Sequence, residues 1–219
     1  MSKRPKIAFY GGTFDPVHCG HVAVAKALVE IFSFDEFSFL PAYHAPHKPG
    51  TPPTSAYHRF AMLTLATQNE PGMSVSTLEL DHATKRYSFD TMTEINSMRP
   101  DASNFFIMGA DSWKDIRTWY RWDELLLMTN HVVVTRPGYD ITFEHVTDPV
   151  RRRIVDLRNT SANPEIRVDE PRIYVTDAVR LDISATEIRE DVRQDDRLDN
   201  ADDVPEEVAK YIEKYELYK

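Results

Sequence analysis

The sequence predicts an α/β fold with a doubly wound, mostly parallel β-sheet. About six short apolar runs alternate with amphipathic segments along the 219 residues, which is the pattern of repeated βαβ units. Two runs, 105–108 and 132–134, are continuously apolar, as strands covered on both faces of a sheet usually are. Because right-handed crossovers join such parallel strands, we expect a Rossmann-like architecture.

Length and composition favour one domain. The chain is 42% hydrophobic and 28% charged, which allows a substantial core. No repeat or low-complexity segment divides it, so we expect a single domain over 1–219 with a helical C-terminal portion at about 183–219. The net charge is −9 and the pI is about 5.4, so a nucleic acid or an anionic membrane is a poor candidate for a partner.

The compartment is indicated by cysteine usage and by the apolar runs. Cys19 is the single cysteine of the sequence, which excludes an internal disulfide and suits a reducing environment. The first residues run directly into a predicted strand, and no apolar run approaches the ~20 residues of a membrane span. We therefore expect a cytoplasmic protein without a membrane partner. Its oligomeric state, homo-oligomer included, stays open.

The strongest functional signal is the stretch 11–21, GGTFDPVHCGH. It follows a predicted strand at 7–10 and precedes a predicted helix at about 22–32, so it forms the turn of a βαβ unit. Gly11 and Gly12 have no Cβ and allow the backbone to approach a ligand closely.

Two histidines in this stretch indicate the kind of ligand. His18 and His21 lie three residues apart where the helix begins, so a helical turn there places both imidazoles on one face. Imidazoles, glycine amides and the free N–H groups of a helix N-terminus suit a polyphosphate. A zinc site is disfavoured, because no third or fourth ligand follows at zinc spacing. The P-loop and GxGxxG patterns are both absent.

A proline-rich loop at 41–53 leaves the carboxyl end of the second predicted strand, where ligands bind in open α/β sheets. His47 and Lys48 are therefore candidates for substrate contact, whereas His44 is interpreted as part of a solvated connector. The remaining elements are expected as strands at 37–40, 74–80, 105–108, 131–135 and 172–175 and helices at 57–67 and 88–98, after Ser184 and after Pro205.

Several candidate site residues also have ordinary structural explanations. Ser88 and Asp111 could each simply cap a helix. Trp113 and Trp122 are interpreted as core packing. Arg136 follows the strand at 131–135 and offers a planar fork to a phosphate.

The stretch 183–189, ISATEIR, is a second motif. Ser184 and Glu187 have the spacing of a capping box, so a helix begins there with Arg189 in its second turn. No motif is found at 139–171, where three consecutive arginines are interpreted as a solvated helix face. An acidic turn is expected at 191–203, before a final helix whose apolar face is formed by Val208, Tyr211, Ile212 and Tyr215.

Both motifs resemble those of one enzyme family. The stretch 11–21 resembles the (T/F)xxxHxGH signature of nucleotidylyltransferases, and its longer form is similar to that of the bacterial nicotinate-nucleotide adenylyltransferases. The stretch 183–189 resembles the second signature of that family, Ile-Ser-x-Thr-x-x-Arg. The resemblance extends over nearly the whole chain except about 139–171.

The resemblance implies an adenylyl transfer from ATP to nicotinate mononucleotide, which gives nicotinate adenine dinucleotide and pyrophosphate in NAD synthesis. It implies catalytic roles for His18, His21 and Arg189, with Mg²⁺ carried by ATP and no dedicated protein ligands. The ATP site would comprise Gly11, Gly12, Thr13, Phe14, His18, His21, Gly109, Asp111, Ile183, Ser184 and Arg189. The mononucleotide site would comprise His47, Lys48, Ser88, Phe106, Trp119, Tyr120 and Arg136.

Within the mononucleotide site, the resemblance implies that Trp119 stacks on the pyridine ring with Phe106 opposite. The segment at Ser88 would present its amide and hydroxyl groups to the nicotinate carboxylate, near Tyr120. Two alternatives stay open. The acceptor could be nicotinamide mononucleotide or phosphopantetheine, or the chain could be a nucleotide sensor without catalysis.

Overall fold

The computed structural model describes residues 4–44, 53–82, 84–135, 141–158, 170–179, 183–195 and 203–219. The strands are β1 Lys6–Gly12, β2 Glu36–Pro41, β3 Met73–Val75, β4 Ser103–Gly109, β5 Asn130–Val134, β6 Ile154–Asp156 and β7 Ile173–Thr176. The helices are α1 Cys19–Phe32, α2 Ala56–Thr67, α3 Leu78–Asp81, α4 Ser88–Met98, α5 Ala110–Lys114, α6 Trp122–Met128, α7 Asp148–Arg151, α8 Ala185–Asp195 and α9 Glu206–Lys214, with a 3₁₀ turn at Ile116–Thr118.

The strands form one seven-stranded sheet in the order β3-β2-β1-β4-β5-β7-β6. Every strand pair is parallel, and β1 lies beside β4 with Phe9 opposite Phe106. The chain leaves β1 toward β2 and β3 and then returns to continue from β4 on the other side. The direction therefore reverses between β1 and β4, and a crevice at their carboxyl ends is the usual ligand site of such sheets. The predicted α/β, Rossmann-like fold is confirmed.

Both faces of the central strands are buried. Along β4, Phe105 packs into one core cluster, which also contains Leu28 and Phe32 of α1. Its neighbour Phe106 packs into the cluster on the other face, together with Met92 of α4. Successive strand side chains point to opposite faces, so each central strand needs apolar residues at every position. This requirement explains the continuous apolar runs in the sequence.

The strand predicted at 74–80 is wrong in its second half. Strand β3 has three residues and pairs only with β2 at the edge of the sheet. The Ser76 hydroxyl then accepts the N–H of Leu78 at 3.2 Å, and the chain turns into α3. The alternation of larger and small residues at Val75, Thr77 and Glu79 continues past the end of β3. The strand predicted from this alternation was therefore too long.

Two short elements lie within 139–171, where the sequence shows no motif. Helix α7 and strand β6 are only four and three residues long, too short for a periodic pattern. The first of the three consecutive arginines, Arg151, donates through Nε and Nη2 to the carbonyls of Phe143, Glu144 and Val146. Arg151 therefore ties down the preceding loop, although its side chain is otherwise exposed as predicted.

The C-terminal region is helical, as expected from the sequence. Helix α8 continues to Asp195, so the acidic turn predicted from 191 is wrong in its first residues. Helix α9 follows Pro205 and buries Val208 and Ile212, whereas Tyr215 lies beyond the helix and is 47% exposed.

None of the helices in the described ranges is long and apolar enough to cross a membrane.

Candidate active site

The stretch 11–21 lies where the sequence analysis placed it, between β1 and α1. Strand β1 ends at Gly12, and His18 is the N-cap of α1 with extended backbone angles of φ −137° and ψ 169°. The turn thus stands at the carboxyl end of the central strand, beside the crevice between β1 and β4.

His18 and His21 lie face to face. Their ring centroids are 3.7 Å apart and the planes are inclined by 30°. The backbone N–H of His18 donates to Nδ1 of His21 at 3.2 Å, so a neutral His21 ring carries its proton on Nε2. The Phe14 ring packs against His21 at a centroid distance of 5.0 Å with the planes inclined by 74°. His21 is therefore oriented by two contacts, and its Nε2–H is the natural donor toward an anion.

The amides at the start of α1 are only in part as predicted. The N–H of Cys19 donates to the carbonyl oxygen of Asp203 at 2.8 Å, and the N–H of His18 is held by His21. The prediction that the helix start presents free N–H groups is wrong for these two. The C-terminal region satisfies one of them, which local sequence spacing cannot reveal.

Gly11 and Gly12 leave the space that two aromatic rings of the protein occupy. A Cβ on Gly11 would lie 2.5 Å from Cζ of Phe106, and one on Gly12 would lie 2.8 Å from Cζ of Phe14. Both distances are far below van der Waals contact, so a side chain at either position would displace an aromatic ring. The glycines therefore admit aromatic packing beneath the site. A Cβ on Gly109, by contrast, would meet nothing within 4 Å.

The second motif packs directly against the first. Arg189 on α8 donates through Nη1 to the carbonyl oxygens of Asp15 at 2.6 Å and Ala185 at 3.1 Å. Ser184 immediately precedes the helix, and its carbonyl accepts the N–H of Ile188 at 3.1 Å. The Cβ of Ile183 lies 3.7 Å from where a Cβ on Gly20 would stand. The two motifs, far apart in sequence, form one site.

Of the remaining predicted ATP-site residues, Gly109 and Asp111 lie at the end of β4 and Thr13 lies after β1. Gly109 is the N-cap of α5, and Asp111 is an exposed residue in its first turn. The alternative that Asp111 caps this helix is therefore wrong. Thr13 lies in the turn after β1, where its carbonyl accepts a hydrogen bond from Arg59 at 2.6 Å.

Trp119 and Phe106 are neighbours, but they do not face each other as parallel plates. Their centroids are 6.2 Å apart and the planes are nearly perpendicular at 78°. Phe106 is only 3% exposed and lies over Gly11. The expectation that Phe106 stands opposite Trp119 across a bound ring is wrong for this arrangement. Phe106 supports Trp119 by edge-to-face packing instead. The predicted core role of Trp113 is confirmed, because its side chain is 1% exposed.

Ser88 and Tyr120 are brought near each other through Tyr87. Helix α4 begins at Ser88 and its N-cap is Tyr87, so the alternative that Ser88 is the N-cap is wrong. The Tyr87 ring stacks on the exposed Tyr120 ring at 4.9 Å with an inclination of 36°. His47, Lys48 and Arg136 lie outside the described residues.

One buried arginine was missed by sequence reasoning. Arg59 of α2 is fully buried and donates to four loop carbonyls, those of Thr13 at 2.6 Å, Ala42 at 2.6 Å, Thr54 at 2.8 Å and Tyr43 at 3.3 Å. Burial lowers the pKa of Arg59, and the nearby Asp15 carboxylate opposes that shift. Its position three residues before the buried Met62 was the available signal, since that spacing places it on the apolar face of the helix.

A buried carboxylate lies close to the same loops. Glu79 is 8% exposed, and its Oε1 accepts the hydroxyl of Thr91 at 3.0 Å. Burial raises the pKa of Glu79, and its hydrogen bonds to Thr91 and to the backbone of Tyr43 oppose the rise. Across the described ranges, no group of three or more His, Cys, Asp or Glu side chains could hold a metal ion.

Comparison with known proteins agrees with this architecture. A family model described as cytidylyltransferase-like matches residues 9–191. A protein of Thermoanaerobacter named as a nicotinate-nucleotide adenylyltransferase is 36% identical, across 100% of this chain and 97% of its own length. One of Citrifermentans bemidjiense with the same name is 34% identical over 85% of this chain and 87% of its own.

A solved structure shares the fold. The nicotinic acid mononucleotide adenylyltransferase of Plasmodium falciparum, complexed with NaAD, aligns with a TM-score of 0.76 over 98% of both chains. At 20% sequence identity, this likeness concerns the fold alone.

The chain combines a parallel sheet, a pair of histidines at the start of α1 and an arginine that reaches the same turn from α8. Together with the family match, these features define a nucleotidyltransferase of the cytidylyltransferase-like class. Within that class, the full-length similarity shows that the chain belongs to the nicotinate-nucleotide adenylyltransferase family.

Proposed function

We propose that this protein joins ATP and nicotinate mononucleotide to give nicotinate adenine dinucleotide and pyrophosphate. The observation that carries the proposal is the contact of Arg189 with Asp15. This contact brings the second motif to the stretch 11–21, which we call the histidine turn. The curated relatives named for this reaction support the choice of substrates. A cytoplasmic location is part of the proposal and is supported by the use of a single cysteine.

The reaction requires positioning and charge neutralisation more than acid–base chemistry. The attacking group is a phosphate oxygen, already ionised near neutral pH because the second pKa of a phosphate monoester is ~6. Its oxygen bonds to the α-phosphorus of ATP in line with the bridging oxygen, whose bond to that phosphorus breaks. The electron pair leaves with pyrophosphate, so no covalent enzyme intermediate is required.

The described residues fit these needs. We assign Nε2 of His21 to the α-phosphate and the neighbouring His18 ring to the adjacent phosphate oxygens. Arg189 would hold the departing pyrophosphate. Two backbone carbonyls, those of Asp15 and Ala185, fix its Nη1, which places a planar cation at the site in advance. Donors oriented before the reaction stabilise developing charge without reorganisation.

Magnesium enters with the nucleotide in this proposal. A Mg²⁺ ion bound to ATP keeps phosphate oxygens and waters as its main ligands and offsets their negative charge. The nearest buried carboxylate, Asp15, is already engaged through both oxygens, by Tyr218 at 2.7 Å and the Thr54 N–H at 3.1 Å. The protein therefore positions the triphosphate, and the ion needs no dedicated cage.

The mononucleotide would bind on the other side of the crevice. Trp119 would offer an aromatic face to the pyridine ring, and it packs against Phe106 with the two ring planes nearly perpendicular. The start of α4 at Ser88, beside Tyr120, would receive the nicotinate carboxylate, because a helix N-terminus favours an anion. His47, Lys48 and Arg136 remain the proposed contacts of the mononucleotide phosphate.

The test is pyrophosphate release with ATP and Mg²⁺, with nicotinate and nicotinamide mononucleotide compared as acceptors. We expect strong preference for nicotinate mononucleotide. Equal rates would keep the transferase activity but remove the carboxylate site at Ser88 and Tyr120. ATP binding without release for either acceptor, or for phosphopantetheine, would contradict the proposal and favour a sensor.

A further inference from the structure

The C-terminal segment, Asp203–Lys219, contacts the histidine turn on both sides of His18. The carbonyl oxygen of Asp203 accepts the N–H of Cys19 at 2.8 Å. The hydroxyl of Tyr218, at the other end of the segment, donates to Oδ1 of Asp15 at 2.7 Å. The first contact is at Cys19, one residue after His18, and the second is at Asp15, three residues before it.

We propose that the segment Asp203–Lys219 is a clamp that holds the turn in its phosphate-binding geometry, with Tyr218 as the positioning residue acting through Asp15. The inference rests on the proposed nucleotide site and goes beyond it, because it assigns a role in ATP binding to a residue that need not touch ATP.

Asp15 is the point where the clamp meets the rest of the site. Asp15 is 8% exposed, and the second oxygen of its carboxylate, Oδ2, accepts the N–H of Thr54 at 3.1 Å. Its backbone carbonyl accepts the guanidinium of Arg189 at 2.6 Å. A shift of Asp15 would therefore move the backbone before His18 and the arginine together. A buried charge that loses a hydrogen bond is costly, so the Tyr218 hydroxyl is a strong restraint.

Tyr218 is itself held in a polar setting. Burial raises the pKa of Tyr218, and its hydrogen bond to the Asp15 carboxylate raises that pKa further. The hydroxyl is therefore a constant donor at neutral pH. The Thr54 side chain and the Arg189 charge oppose this rise of the Tyr218 pKa.

The segment is anchored firmly enough to act as a clamp. Val208 and Ile212 of α9 are buried in the core beside α1, and Tyr211 shares a hydrogen bond with Nδ1 of His58 on α2 at 2.9 Å. After the helix, Glu216 and Tyr218 have φ values of 51° and 70°. This left-handed backbone is unfavourable for a bulky residue such as tyrosine, so the contacts of the segment must impose it.

The experiment compares Tyr218→Phe with Tyr215→Phe, a matched control on the exposed tyrosine of the same segment. The probe is ATP with Mg²⁺, and its Kd is measured by calorimetry without any acceptor, so the result does not depend on the transfer reaction. We expect Tyr218→Phe to weaken ATP about tenfold, as for the loss of one hydrogen bond to a charged group. Tyr215→Phe should bind as the wild type does.

Steady-state kinetics then separate positioning from a general loss of folded protein. In Tyr218→Phe the KM for ATP should rise, while the KM for nicotinate mononucleotide stays within about twofold of the wild type. An unchanged Kd for ATP would overturn the inference. A lower kcat with both KM values unchanged, together with a lower Tm, would also overturn it, because that pattern reports only less folded enzyme.

A double-mutant cycle tests the route through Asp15. In an Asp15→Asn background the acceptor carries no charge, so Tyr218→Phe should weaken ATP by less than about threefold. A full tenfold loss in that background would show that Tyr218 acts independently of Asp15. A wild-type protein that binds ATP but releases no pyrophosphate would fail the proposed function and leave this binding test intact.

Discussion

At the scale of single residues, the orientation of the His21 ring is defined by a hydrogen bond and an aromatic contact. Its Nδ1 accepts the N–H of His18, and Phe14 packs against the ring. With Nδ1 accepting this hydrogen bond, a neutral His21 ring carries its proton on Nε2. In the proposed function, this Nε2–H donates to the α-phosphate of ATP.

Replacing this donor should cost activity far more than stability. We expect His21→Ala to lower kcat by about 10²–10³, the usual effect of losing one preorganised donor to developing charge. The measurement is pyrophosphate release at saturating substrates, with His44→Ala as a control at an exposed histidine. A kcat within about twofold of the wild type would contradict the assigned role.

Trp119 gives a second prediction at this scale. Its ring contacts Phe106 with the two planes nearly perpendicular, and we propose that a face of the Trp119 ring stacks on the pyridine. Trp119→Ala should raise the KM for nicotinate mononucleotide about tenfold, because stacking of one base on an aromatic side chain contributes ~1–3 kcal/mol. The KM for ATP should change little. Equal increases in both KM values would remove the stacking assignment.

At the scale of secondary-structure elements, α2 connects the loops that border the site. Its Arg59 binds the carbonyls of Thr13 after β1, of Ala42 after β2, and of Thr54 before the helix itself. The single guanidinium of Arg59 thus fixes the distance between the histidine turn and the start of the proline-rich loop. Its planar set of five donors is what allows one side chain to reach several acceptors.

Loss of this arginine should destabilise the fold. We expect Arg59→Met to lower the free energy of unfolding by about 3–5 kcal/mol, since it leaves several buried carbonyls and the nearby Asp15 without their cation. Urea unfolding measures the change, with the exposed Arg117→Met as the control. A decrease in the free energy of unfolding below about 1 kcal/mol would contradict this prediction, because it would mean that water replaces the guanidinium as the donor to these carbonyls.

At the scale of the whole molecule, the interior of the sheet carries one histidine that stays neutral. His131 on β5 is fully buried, its Nδ1 lies 3.0 Å from the carbonyl of Thr129, and the ring packs at 6.0 Å from Phe106. Desolvation lowers the pKa of His131 to about 3, and the Thr129 carbonyl opposes the shift. Protonation therefore favours the unfolded chain, where the pKa is near 6.5.

The sign of the pH dependence follows from this depressed pKa. The stability contribution is complete above pH ~6.5 and is lost as the pH falls toward 3, because the unfolded state takes up the proton first. Between pH 7 and pH 5 the wild type should lose about 2 kcal/mol more than His131→Leu in urea unfolding. The exposed His44→Leu should keep the wild-type slope, and equal slopes for all three proteins would contradict the prediction.

Much of this molecule is predictable because its signals are local. The apolar runs of β4 and β5 reflect strands covered on both faces, and the spacing of His18 and His21 reflects one turn at a helix start. The sequence predictions failed where the local pattern is weak or absent. Strand β6 is three residues long, and β3 ends where Ser76 turns the chain.

The sequence by itself determined the α/β class, the main alternation of strands and helices, and the two motifs that meet at the site. The tertiary structure decided which groups hold that site together. Tyr218 reaches Asp15 across 203 residues, and Arg59 reaches Thr13 across 46. Phe106 turns over Gly11 rather than facing Trp119. The physical reason is that periodicity and spacing report only on neighbours along the chain, whereas a hydrogen bond between distant segments depends on where packing of the whole sheet places them.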